Sequence, residues 1–107
     1  MADQTLHPIQ DKAQVGIDFP DKFYLGSFSR DARFEARSEN DGLMIKLMRS
    51  GAEKRQAEVH IHHHLLADIL TEWAVSLRAE PPMSASHRDT LLEALSEVSN
   101  ALRRDEA

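Results

Sequence analysis

The feature that most constrains this chain is a change of apolar period across residues 59–66, Val59-His60-Ile61-His62-His63-His64-Leu65-Leu66. Before the histidines, Ala57, Val59 and Ile61 alternate with Gln56, Glu58 and His60, the two-residue period of an extended chain with one apolar face. After them, Leu65, Leu66, Ile69, Leu70, Trp73, Ala74 and Leu77 recur at three- and four-residue intervals, which gathers them on one side of a helix opposite Asp68, Thr71, Glu72 and Arg78. The run is therefore read as a strand-to-helix junction. Pro81-Pro82 ends the helix at Ala79 or Glu80, because proline lacks the amide hydrogen and disfavours helical geometry in the residue before it. The helix carries the only tryptophan, so its stripe is expected to be buried.

Upstream, Ala32, Phe34 and Ala36 alternate with Arg33, Glu35 and Arg37, and Leu43, Ile45 and Leu47 alternate with Met44, Lys46 and Met48. Between them lies Glu39-Asn40-Asp41-Gly42, in which Asp-Gly signals a hairpin, the glycine supplying positive φ. Ser50-Gly51-Ala52-Glu53 reads as a second turn, into a strand over 55–61. Ser29-Arg30-Asp31 reads as a bend, and the aromatic segment Phe23, Tyr24, Leu25 and Phe28 as a further strand or a packed loop. Residues 1–20, broken by Pro8, Gly16 and Pro20, read as a flexible N-terminal segment.

Downstream, Ser86 with Asp89 three residues later suits a helix start, and Arg103 and Arg104 suit a helix end. This second helix has a narrower stripe of Leu91, Leu95, Val98 and Leu102, with Ala94, Ala101 and Leu92 at its margins. The expected fold is α+β: an antiparallel meander of three, or four, strands followed by an antiparallel two-helix hairpin packed on one sheet face. It forms a single domain over residues 21–107. A chain of 107 residues can bury roughly two thirds of its unfolded surface without a stapling metal or disulfide.

With no cysteine, thiol catalysis and cysteine-based zinc sites are excluded, and a reducing compartment fits. The N-terminal residues lack a basic stretch followed by an apolar one, and no apolar run approaches membrane-spanning length. A cytoplasmic protein without membrane contact is expected. The net charge of −5 also opposes attraction to nucleic acid. A strand followed by two helices has the order of a ribbon-helix-helix DNA-binding module, but the reading face would be Gln56, Glu58 and His60, and its glutamate repels phosphate.

The histidines are the candidate metal site. In an extended chain Glu58, His60, His62 and His64 project from one face and offer ligands for zinc or another first-row divalent ion; a helix puts His60 and His64 one turn apart. Solvated side chains at the junction are the plainer reading, and no cofactor is expected. No glycine-rich phosphate loop or framed serine nucleophile is present, and an enzyme is not expected. Met44 and Met48, on the sheet face opposite the expected core, and Leu92 are the candidate interface residues, because methionine adapts to irregular contacts. The functional expectation is a small interaction or adaptor protein whose partner is another protein or itself, most simply as a homodimer. The alternative is a metal-binding protein using the histidines.

Overall fold

Alternation in the sequence becomes strands, and the register shows which residues share a face. The computed structural model describes residues 6–49 and 55–104. Among them, in chain order, are β1 His7–Pro8, β2 Ala13–Phe19, β3 Lys22–Phe28, β4 Ala32–Glu39, β5 Gly42–Arg49, β6 Arg55–His62, α1 His63–Ala79 and α2 Ala85–Arg103. β1, β4, β5 and β6 form a four-stranded antiparallel sheet in the order β1-β4-β5-β6, and β2 and β3 form a separate antiparallel hairpin. Antiparallel strands followed by two helices make the chain α+β, and β4-β5-β6 is the expected meander. The turn expected over 50–53 lies outside the described residues. The chain divides into two compact units, Met1–Ile69 and Leu70–Ala107.

On one face of the sheet Leu43, Ile45 and Leu47 stand opposite Ser38, Ala36 and Phe34 of β4 and Ile61, Val59 and Ala57 of β6. This is the apolar face the alternation calls for. Its burial is incomplete, however: Leu43, Ile45 and Leu47 are half-buried, Ala36 is exposed, and Val59, on edge strand β6, is 45% exposed. On the other face the central strand places Met44 between Arg37 and His60, and Lys46 between Glu35 and Glu58. Met44 is 1% exposed and Glu35 5% exposed. Long neighbours on both sides shield a residue in a central strand, whatever the polarity of their ends.

Two strands occur inside the segment expected to be a tail. In β2, Ala13, Val15, Ile17 and Phe19 alternate, and the Phe19↔Lys22 pair leaves Pro20 and Asp21 as the turn. Proline presets the φ of a turn's second position, so Pro20 joins two strands instead of breaking one. The hairpin is tied to the sheet by Arg55 Nη1 donating to the Leu25 carbonyl (3.2 Å) and Arg49 Nη1 to that of Ser27 (3.4 Å). Phe28 and Ala32 are each 2% exposed on either side of the bend, which the Ala32 amide closes by donating to the Ser29 carbonyl (2.9 Å).

The turn between β4 and β5 differs in detail from expectation. Asn40 carries the positive φ, 51°, and Gly42 is already the first residue of β5. Asparagine tolerates the left-handed region better than most residues. Gly42 is required for another reason: a Cβ there would stand 2.2 Å from the Ile61 carbonyl oxygen and 2.9 Å from His62 Cα.

α1 begins within the histidine run and ends at Ala79, before Pro81-Pro82. α2 starts earlier, with Ser84 as N-cap accepting from the His87 amide (3.4 Å), in place of Ser86. Either serine can serve; the register that satisfies the amide three residues on belongs to Ser84. Leu65, Ile69 and Trp73, read as core, are 55, 43 and 38% exposed in the single chain. No described residue of α1 or α2 is buried.

Candidate interaction surface

The histidine junction is built on the β4-β5 turn. His62 pairs with Gly42, and the missing side chain lets the β6 backbone approach closely. The first helical amide of α1, an orphan donor in any helix, then donates from His63 to the Asp41 carbonyl at 2.9 Å. One residue pair back, His60 Nε2 lies 3.2 Å from the Glu39 carbonyl oxygen. A carbonyl only accepts, so Nε2 is the donor there.

The proposed ligand set is only partly brought together. His60 and His62 share a face with ring centroids 4.9 Å apart; Glu58, on the same face, pairs with Lys46, and His64 is exposed in the first turn of α1. Among the described residues no group of three or more histidine, aspartate or glutamate side chains is placed to hold a metal ion. At the junction His62 pairs with Gly42, the His63 amide meets the Asp41 carbonyl and the His60 ring meets the Glu39 carbonyl.

Of the candidate interface residues, Met44 is buried in the single chain. Met48 is half-buried beside Leu6, Asp31 and Arg33, and Leu92 is 58% exposed. The charges around Met44 are paired among themselves: Arg37 donates to Glu35 and, at 3.2 Å, to Glu39. Those hydrogen bonds, Glu39 first and then Glu35, raise the Arg37 pKa above its ordinary value, with desolvation opposing them. Arginine is charged throughout the useful pH range in any case, so the trio is a fixed charge cluster rather than a switch.

Among the described residues, apolar surface is left open on the strands and on the helices. On the strands it forms a groove of about 420 Å³ between the hairpin and β6, lined by Val15, Ile17, Tyr24 and Phe28 on one side and Ala57 and Val59 on the other. The tail reading of residues 1–20 hid it, although the alternation of β2 flanking Pro20-Asp21 was the signal that could have found it. The stripes of α1 and of α2 are open as well, each taken by itself. Six large apolar side chains of α1 and five of α2 are between 36 and 76% exposed, the extremes being Leu91 and Leu102. The stripe of α1 spans half its circumference, whereas that of α2 is a narrow seam.

Among the described residues no helix is long and apolar enough to cross a membrane. No protein-family model, curated protein or solved structure matches the chain.

Proposed function

We propose that this protein is a small, non-catalytic interaction protein of the cytoplasm that works as a homodimer, with the helices as its contact surface. The observation that carries the reading is the exposure of both helix stripes. At roughly 60–120 Å² of apolar area per fully exposed aliphatic side chain, eleven side chains about half exposed present on the order of 500 Å² per chain. A standard interface takes about 800 Å² from each partner, about two thirds of it apolar in homodimers, so the stripes are about the right size for one. The contact surface differs from the sheet face first considered, because Met44 is buried there.

Sedimentation of the unmodified protein tests this. A dimer mass in the low micromolar range is expected, falling to the monomer in Leu95→Glu with helical circular dichroism retained. A monomer at high micromolar concentration overturns the reading.

A further inference from the structure

The two edges of the four-stranded sheet differ. β1, at one edge, is two residues long and contains Pro8, which has no amide to offer a further strand. β6, at the other, runs for eight residues without proline, and its register with β5 passes from Gly42↔His62 to Arg49↔Arg55 with no bulge. Among the described residues no strand pairs with its outer side, and none of its side chains is buried. In an antiparallel strand every second residue turns its N–H and C=O outward, so this edge is a regular row of donors and acceptors of the kind that takes up another strand.

We propose that β6 pairs with β6 of a second copy, antiparallel, about a twofold axis through Val59, joining the two four-stranded sheets into one. The pairing rests on the homodimer reading above and goes beyond its helix contact by adding the sheet edge; β6 runs straight into α1, so the two contacts are consecutive in the chain. Reversal about Val59 sets Ala57 opposite Ile61 of the partner subunit and Val59 opposite its own copy. The apolar faces therefore stay level across the junction, and the contact is isologous. Val59 is 45% exposed in the single chain.

Charge and overlap select this register. An axis between two residues would turn the apolar face of one copy level with the polar face of the other, so the axis passes through a residue. Through Glu58 it would set that carboxylate against its own copy, and like charges directly opposite one another are destabilising. Through Ala57 it would set Arg55 opposite Val59 and shorten the paired stretch to residues 55–59; through His60 it would oppose two imidazoles and shorten the stretch to 58–62. The axis through Val59 pairs residues 56–62 and sets Glu58 directly opposite His60 of the partner subunit, twice over by symmetry. Directly opposed side chains have Cβ atoms about 4.5–5.5 Å apart, so these two meet. Within one sheet Glu58 pairs with Lys46 and Lys46 with Glu35, so the row across the junction reads Glu35, Lys46, Glu58 and then His60 of the partner subunit, with no two carboxylates adjacent. Arg55 falls outside the paired stretch, which leaves its hydrogen bond to the Leu25 carbonyl in place.

The chain has no cysteine, so single cysteines report the geometry directly. Directly opposed residues of an antiparallel pair have Cα atoms about 4.5–5.5 Å apart, within reach of a disulfide, whereas position 57 and its own copy would stand about 13 Å apart along the strands. Val59→Cys, Ala57→Cys and Ile61→Cys proteins are therefore oxidised at low micromolar concentration, the last two separately and as a mixture. Val59→Cys alone is expected to give covalent dimer containing more than half of the chains, and the mixture a covalent heterodimer. Ala57→Cys and Ile61→Cys alone are each expected to give at least fivefold less than Val59→Cys. Self-linking by either of them to the level of Val59→Cys overturns the proposal. A dimer by sedimentation in which Val59→Cys forms no cross-link also overturns it while leaving the homodimer reading standing; a monomeric unmodified protein removes both. Should Val59→Cys lose its β-sheet signal, nitroxides at the exposed positions 56 and 62 leave the apolar face intact. Different labels must then approach one another in mixed dimers, and identical labels must stand about 20 Å apart along the strands; identical labels in close contact overturn the proposal.

Discussion

Gly42→Ala should be among the most damaging small substitutions in this protein. The added methyl would stand 2.2 Å from the Ile61 carbonyl oxygen and 2.8 Å from its carbon, and both are backbone atoms that no rotamer change can move. Reaching an ordinary contact requires β5 and β6 to part by about 1 Å locally. A hydrogen bond stretched by that amount from 2.9 Å is lost, and the one between His63 and Asp41 that seats α1 on the turn lies at this point. Overpacking of this kind costs about 1–3 kcal/mol, and each lost hydrogen bond about 0.5–1.5 kcal/mol. Replacing glycine returns about 0.4–1 kcal/mol through the unfolded chain, which leaves a net loss of about 1–4 kcal/mol. Urea unfolding at one fixed protein concentration, because association adds to stability, should show the midpoint falling by about 0.5–2 M. Gly26→Ala is the control: its methyl meets Phe28 and Arg55 side chains at 3.5 and 3.8 Å, ordinary contact distances. A midpoint for Gly42→Ala equal to that of Gly26→Ala would refute the close-approach argument.

Other consequences can be checked with the same unfolding assay. Ser84→Ala should cost about 0.5–2 kcal/mol and Ser86→Ala less than about 0.5 kcal/mol, which separates the observed cap from the one first expected. Asn40→Ala should cost about 1 kcal/mol and Asn40→Gly almost nothing, since the position needs positive φ rather than an amide. Met44→Glu should destabilise by about 3 kcal/mol or more by burying a charge, while Met48→Glu, half-buried, costs less; equal effects would mean that Met44 is a surface residue after all. Elemental analysis of untagged protein should give well below one transition metal ion per chain, and a stoichiometric zinc lost in His60→Ala would put the metal reading first.

The sequence by itself determined the elements whose periodicity is long and unbroken. The meander from Ala32 to Ile61, its apolar and polar faces, the junction at His62 and His63, and the end of α1 before Pro81-Pro82 all follow from local rules. Period, turn chemistry and proline geometry act within a few residues and leave their mark in order along the chain. Close residue choices were not settled this way: Asn40 rather than Gly42 takes the positive φ, and Ser84 rather than Ser86 caps α2, because each depends on which neighbour the backbone reaches. Nor could alternation say how well a face is covered. Leu43, Ile45 and Leu47 are only half-buried, while Met44 on the charged face is enclosed, because burial is set by what lies alongside in space. Pro20 illustrates the same limit. Its neighbours 13–19 alternate as a strand should, yet only pairing with residues 22–28 distinguishes a turn proline from a chain breaker. The helix stripes are the widest gap: a hydrophobic period states that a surface must be covered, and the identity of the cover is a property of the tertiary or quaternary arrangement, since apolar burial is non-directional and any complementary surface satisfies it.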